Sequence, residues 1–325
     1  MWKESWGNML TYLFKRLFQA IPLLIGISLI SFFMMYLAPG GPTDVMMDPR
    51  IRPEDREKMM EALGLNKPPW AQYLHWLLHF IQGDWGTSFI RKVPVIDMIL
   101  ERLPQTLLLM GCSFLFAAIL SIPIGILAAR KKNTWIDYTS SFVAFLGLAT
   151  PNFWLGMMLI MVFSVYLNFL PAGGINGFMD ERGGILSLLQ HLILPAITLG
   201  TADMAALTRY TRSSMLEVLG QNYMMTARSK GLKEWVVIYK HGLRNGMIPV
   251  ITIFGLSLPS FFGGAVIVEK IFSYPGIGLL FLDAVFQRDY PVIMALTTIS
   301  ACLVVIGNLI ADVLYAVLDP RIELK

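Results

Sequence analysis

Long apolar stretches alternate with short polar ones along this chain. An α-helix needs about 20 apolar residues to cross a bilayer. Six stretches satisfy that length: 17–43, 103–129, 138–179, 183–207, 245–268 and 290–311. The first ends in the helix-breaking run Pro39-Gly40-Gly41-Pro42. The third has room for one helix plus a loop, and Pro171-Ala172-Gly173-Gly174 marks its exit. The pattern predicts an all-α polytopic membrane protein with six transmembrane helices. The first stretch is longer than the roughly 7–15-residue core of a secretory signal. No small-residue cleavage site follows it, so it reads as a retained anchor.

Two polar segments carry periodicity of their own. In the loop 44–102, Pro53 opens a helical pattern through Met59, Met60, Ala62 and Leu63, which Gly64 ends. A second amphipathic pattern follows at Trp70, Tyr73, Leu74, Leu77, Leu78 and Ile81, stopped by Gly83-Asp84-Trp85-Gly86. Its Trp and Tyr suit a helix at the membrane interface. His75 and His79 fall four apart there, the spacing of a two-histidine metal site. Trp76 follows His75 where a zinc-protease helix carries Glu, so an interfacial face is the stronger reading. Between spans four and five, 208–244 predicts two short helices separated near Gly231. A basic segment of this kind fits contact with anionic lipid or docking of a cytoplasmic partner.

Charge fixes the orientation. With the N-terminus inside, seven basic residues fall in 208–244: Arg209, Arg212, Arg228, Lys230, Lys233, Lys240 and Arg244. Cytoplasmic segments then total +7 and external ones −3, which satisfies the excess of Lys and Arg on the cytoplasmic side. Both termini are expected in the cytoplasm. The net charge of +4 and the pI of about 9.0 therefore describe topology, not nucleic-acid binding. Hydrophobic residues are 55% of the chain and charged residues 15%, with a mean hydropathy of +0.60. That excludes a soluble globular protein and intrinsic disorder. Cys112 and Cys302 lie in apolar runs and read as packing residues.

Catalytic signatures are missing. The chain has no G-x-x-x-x-G-K-[ST] phosphate loop, G-x-S-x-G elbow or H-E-x-x-H pair. It is not expected to hydrolyse ATP, or to hold a metal or cofactor. Ionisable residues inside a membrane are functional suspects. Here Asp203, Asp312 and His191 qualify, all near span ends. Pro22, Pro123, Pro151, Pro195, Pro249, Pro259, Gly263 and Gly264 lie within or beside spans. Such breaks are tolerated where helices line a cavity or pack closely. A non-catalytic pore or carrier body is the physical reading; an ion-coupled carrier and, more distantly, a membrane enzyme are the alternatives.

Several short motifs share one resemblance. Gly220-Gln221-Asn222-Tyr223-Met224-Met225-Thr226-Ala227-Arg228-Ser229-Lys230-Gly231-Leu232, with His241-Gly242-Leu243-Arg244-Asn245-Gly246-Met247-Ile248-Pro249, resembles the cytoplasmic EAA loop of binding-protein-dependent ABC importer permeases. Met225 and Thr226 stand where the general motif has Glu and its first Ala, and Pro249 falls late. Both departures look like the dipeptide/oligopeptide branch. Ala38-Pro39-Gly40-Gly41-Pro42, Gly83-Asp84-Trp85-Gly86-Thr87-Ser88, Arg102-Leu103-Pro104-Gln105-Thr106-Leu107, Phe272-Ser273-Tyr274-Pro275-Gly276-Ile277-Gly278, Arg288-Asp289-Tyr290-Pro291 and Asp319-Pro320-Arg321 are similar to further elements of that branch.

The resemblance implies a type I importer permease fold. It divides the chain into 1–43 with the first helix, an extracytoplasmic loop 44–102, a five-helix core 103–316 with a coupling loop 208–247, and a tail 317–325. It implies a second, similar permease as partner, two cytoplasmic ATPase subunits that use ATP and Mg, and an extracytoplasmic peptide-binding protein. Peptides are the expected substrate; nickel, glutathione and other small-solute importers have similar permeases. Tyr223, Thr226, Ala227, Lys230, Gly231 and Leu232 would form the ATPase-coupling loop, with Ala227 allowing close approach and Gly231 a tight turn. Phe272, Tyr274, Pro275, Gly276 and Gly278 would face the docked binding protein, although an apolar Gly/Pro-rich tip also suits a packing element.

Overall fold

The computed structural model describes residues 2–37, 67–174, 184–247, 250–251 and 265–318. Ten helices carry the argument, in chain order. They are α1 (Trp2–Leu37), α2 (Pro69–Ile81), α3 (Val95–Arg130), α4 (Trp135–Ala149), α5 (Asn152–Leu159, running into wider turns over Ile160–Tyr166) and α6 (Gly184–Leu219). After these come α7 (Asn222–Ser229), α8 (Glu234–Val236, running into wider turns over Val237–Gly242), α9 (Ile277–Gln287) and α10 (Tyr290–Leu318). Four are long and apolar enough to cross a membrane, or five if the bent pair α4–α5 counts as one span. The fifth apolar stretch, 245–268, lies mostly outside the described residues, as do Pro249, Pro259, Gly263 and Gly264. The motifs at 38–42 and 319–321, the helical pattern at 53–63 and the tail beyond residue 318 lie outside them too.

Three helices differ from the hydropathy reading. The α3 helix starts at Val95, before the apolar run, and takes Asp97, Glu101 and Arg102 into its first turns. The α6 helix does not stop near residue 207 but runs to Leu219. Its 36 residues span about 54 Å, against a hydrocarbon core of about 30 Å. Thr208, Thr211 and Met215 carry its buried face through this extension. The third stretch is broken: α4 and α5 meet at 102°. Proline lacks an amide donor and pushes its predecessor out of helical geometry. Accordingly, Thr150 before Pro151 has φ −83° and ψ 121°.

The chain folds as two compact units. The first comprises 1–105 and 276–305. There Tyr73 of α2 meets α1: its hydroxyl lies 2.9 Å from Ser28 Oγ, and Phe32 packs edge-on against its ring. Val95, Met98 and Ile99 of α3 share a core with Ile277, Leu280 and Ala284 of α9 and with Val292, Ala295 and Leu296 of α10. The spacings of three and four put each set on one helix face. Buried Asp289 ties the 84–94 turn to this core. Its carboxylate accepts from Ser88 Oγ and from the Phe89 amide at 2.9 Å.

The second unit comprises 106–275 and 306–325. Leu109, Leu192, Leu194, Leu199, Val268 and Phe272 lie in its main core, with Cys112 packed against it. Small residues bring helices together, as is common where helices associate in lipid. A Cβ added at Gly200 of α6 would lie 2.6 Å from the Ser113 carbonyl oxygen of α3. At Gly125 of α3 it would lie 2.9 Å from that of Thr208. Asp203 and His191 are half-buried on α6, and His191 Nδ1 donates to the Ser187 carbonyl oxygen at 2.8 Å.

Candidate functional site

The segment after α6 forms two short helices separated near Gly231, as the sequence predicts. The α7 helix starts after Gln221, whose backbone is extended. Its inward face is Met224 and Ala227, packed on Val237 with Val218 and Leu219 beside them. Ala227 thus faces its own unit. Its small side chain lets α7 lie close on the residues after α8, whereas the sequence reading gave it to a partner contact. Tyr223, Met225, Thr226, Lys230 and Leu232 are exposed.

Gly231 closes the turn at φ +75°, a region that costs little for glycine and strains other L-residues. Its amide donates to the Arg228 carbonyl oxygen at 2.9 Å. A Cβ here would meet nothing within 4 Å, so the backbone conformation, not lack of space, calls for glycine. Across the turn, the Arg228 guanidinium donates to both oxygens of Glu234, at 3.1 Å and 3.3 Å. That hydrogen bond holds the Glu234 carboxyl below the usual carboxylate range.

The outward surface is mixed. Trp235, 63% exposed, is joined by exposed Tyr239, Tyr223 and Met225 along this segment, and Arg228, Lys230, Lys233 and Lys240 are exposed there too. Rigid aromatics rimmed by polar side chains are the composition of a protein-docking patch.

The sequence reading missed two supports of this surface. Asn245 Nδ2 donates to the Tyr223 hydroxyl at 3.0 Å, and Ser214 Oγ donates to the Gly246 carbonyl at 2.7 Å. Here Gly242 and Gly246 run close to Met224 and Met215. The His241–Gly246 stretch therefore backs α7, which accounts for the two motif halves occurring together. The second support is an ion pair at the base of α6. Arg212 donates through Nε and Nη2 to both oxygens of Asp137, and the Asn133 amide donates to the same carboxylate at 3.0 Å. Asp137 is 2% exposed. Each residue looked like an ordinary topology charge in sequence; 75 positions separate them.

The second predicted surface, 272–278, is mostly internal. Phe272 and the fully buried Tyr274 belong to the core of the second unit, so these two side chains do not face outward. Gly173 and Gly156 lie against Phe272, and the Gly174 amide donates to its carbonyl at 2.7 Å. Ser273 is exposed and Pro275 partly so. Gly276 leads into α9, which begins at Ile277, and Gly278 is buried within it. The aromatics pack because small residues elsewhere in the unit leave room for them, which local sequence does not reveal. Glu269, a buried carboxylate that the sequence reading passed over, accepts from Thr106 Oγ1 at 2.7 Å.

His75 and His79 stack with ring centroids 4.2 Å apart. Among the described residues, no group of three His, Cys, Asp or Glu side chains is placed to hold a metal.

Residues 121–324 match the family model described as binding-protein-dependent transport system inner membrane component. Residues 9–110 match the model for the N-terminal part of such membrane components. The chain belongs to this family. The oligopeptide transport system permease protein AppB of Bacillus subtilis (strain 168) is 57% identical over 97% of this chain and all of that protein. The dipeptide transport system permease protein DppB of Escherichia coli (strain K12) is 41% identical over 98% of this chain and all of its own length. The glutathione transport system permease protein GsiC of the same strain is also 41% identical over 98% of this chain and all of its own length. The resemblance carried by the short motifs therefore holds along the whole chain. This member of the family is an ABC transport permease, a multi-pass component of the cytoplasmic membrane and not an enzyme.

Proposed function

We propose that this permease is one of two membrane halves of an ATP-driven importer of small peptides. The observation that carries the substrate is the 57% identity, end to end, with a protein named an oligopeptide permease. The relatives at 41% are named for dipeptides and for glutathione. Glutathione is itself a peptide, so the substrate class is common to all three. The topology is six spans with both termini in the cytoplasm. The exposed face of α7, through Tyr223 and Thr226, and the following turn, through Lys230 and Leu232, sit in a groove on an ATPase subunit. Gly231 shapes the turn, and Ala227 holds the helix from behind. ATP and Mg are consumed by two such subunits, and an extracytoplasmic binding protein delivers the peptide. A second, similar permease completes the path, and alternating access rocks the two against each other. The exposed Ser273 and the partly exposed Pro275 are what the 272–278 turn offers a docked binding protein.

The test is reconstitution in liposomes with a second permease, two ATPases and the cognate binding protein. ATP-dependent uptake of a peptide retained by that binding protein is the expected result. Transport by the isolated chain without ATP would reject the reading. A binding protein that retains only metal or sugar would reject the substrate class.

A further inference from the structure

The first unit holds a cavity of about 260 Å³ that the coupling reading does not use. Its walls are aromatic: Tyr36 of α1, Trp76 of α2, Trp85 of the following turn and Tyr290 of α10. The rings are set by stacking among themselves. Trp76 packs on Phe80 at 5.2 Å between centroids, and Phe80 on Trp85 at 5.4 Å with nearly parallel planes.

The other polar groups on the lining are Gln72, His75, His79, Asp84 and Thr87, with the buried Trp76 Nε1, which has no partner among the described residues. His79 Nδ1 donates to the His75 carbonyl at 2.8 Å, which fixes that ring. Burial, then the neighbouring His79 and Lys67, hold His75 below its ordinary value, with Asp84 acting the other way. The Asp84 carboxylate is exposed, and one oxygen accepts from the Gly86 amide at 3.0 Å. His79 and Asp84 also lie at or just past the carbonyl end of α2, where the helix dipole is negative.

Aromatic rings, a carboxylate and a helix C-terminus together favour positive charge, and aromatic rings around a cation form the recognition used for ammonium groups. The volume falls below the roughly 300–1,000 Å³ of drug-sized pockets, so it suits one side-chain-sized group. We propose that this cavity binds an organic ammonium ion, a charged nitrogen carried on a small apolar body. The nitrogen sits between Asp84 and the rings, and the body fills the aromatic interior. A soluble amine and the amino headgroup of a phospholipid share this chemistry.

The test uses the full chain in phosphatidylglycerol nanodiscs, which contain no ammonium. Calorimetric titration compares 2-phenylethylammonium with its neutral counterpart, 2-phenylethanol. The ammonium should bind at least about fivefold more tightly. Asp84→Asn keeps an oxygen for the Gly86 amide but removes the charge, and should erase the preference. Tyr36→Leu, at a ring already 42% exposed and so tolerant of change, should weaken the ammonium severalfold. In phosphatidylethanolamine nanodiscs, unchanged affinity identifies a soluble amine as the ligand, and competitive loss identifies the lipid headgroup. Equal binding of the alcohol and the ammonium, or an unaltered preference in Asp84→Asn with the unfolding midpoint preserved, would overturn the proposal.

Discussion

Replacing Asp137 with Ala should destabilise the second unit more than any exposed charge change in this permease. The substitution removes the acceptor for Arg212 Nε, for Arg212 Nη2 at 2.8 Å and for the Asn133 amide at 3.0 Å. It also leaves a guanidinium facing the space where a buried carboxylate stood. Breaking a buried pair from one side costs about 3–5 kcal/mol. The Arg212 side chain is 29% exposed, so water reaches part of the orphaned cation. That lowers the expected loss to about 2–3 kcal/mol, at or below the bottom of that range.

The assay is a double-mutant cycle on denaturant titrations of the full chain, with Asp137→Ala, Arg212→Met and the double variant. The two single changes should be non-additive by about 2 kcal/mol, because either one already breaks the fork. Asp137→Asn keeps one acceptor and should fall between wild type and Asp137→Ala. A loss under about 0.5 kcal/mol for Asp137→Ala would refute the reasoning. So would an additive cycle, since it would show that the fork carries no energy of its own.

The Arg228–Glu234 pair provides the contrast. Both side chains are more than a third exposed, so Glu234→Gln should leave stability within about 0.5 kcal/mol. Gly231→Val should strain the turn by about 1–2 kcal/mol and uncouple ATP hydrolysis from uptake in the reconstituted importer, while membrane insertion stays normal; unchanged uptake would reject the placement of the turn. Gly125→Val should cost about 1–3 kcal/mol from overpacking against Thr208 and Thr211, read as a lower unfolding midpoint. His75 should titrate below 6.5 by NMR. Because its folded value is lowered, the fold should lose a little stability as pH falls below 6.5, and His79→Gln should move the titration upward.

Hydropathy exposed the membrane parts of α1, α3, α6 and α10 because a lipid-facing helix must be apolar along its length. The same criterion hid the ends of α3 and α6. Asp97, Glu101 and Arg102, and later Arg209, Arg212 and Glu217, interrupt the apolar run without interrupting the helix. Beyond the hydrocarbon, a helix continues as long as one face stays buried, and Thr208, Thr211 and Met215 keep that face. Pro151 marked a break, but the 102° angle depends on what each half packs against. The turn at Gly231 was legible because a backbone constraint acts through one residue. The directions of Ala227, Phe272 and Tyr274 were not, since each is set by partners from other helices. The Asp137–Arg212 fork was invisible for the same reason: charge counts locate a side of the membrane, not a partner.

These hidden contacts decide how the proposed docking surface is held. Short helices are marginal in isolation, so the eight residues of α7 depend on what lies behind them. Met224 and Ala227 seat α7 on Val237, and Asn245 holds Tyr223 from the next segment. The α6 helix leads into α7 through Gly220 and Gln221 and is pinned at its base to α4 by Arg212. A push on α7 therefore meets packed side chains and a two-pronged ion pair before it meets a loose joint. Packed interiors transmit strain instead of absorbing it. Within the second unit, the displacement should pass along α6 to α4, which packs along it. On this argument the fork has a transport phenotype separate from its stability cost. At a temperature where Asp137→Asn remains folded, ATP hydrolysis should persist while uptake per ATP falls. Equal losses in both would assign the fork to stability alone.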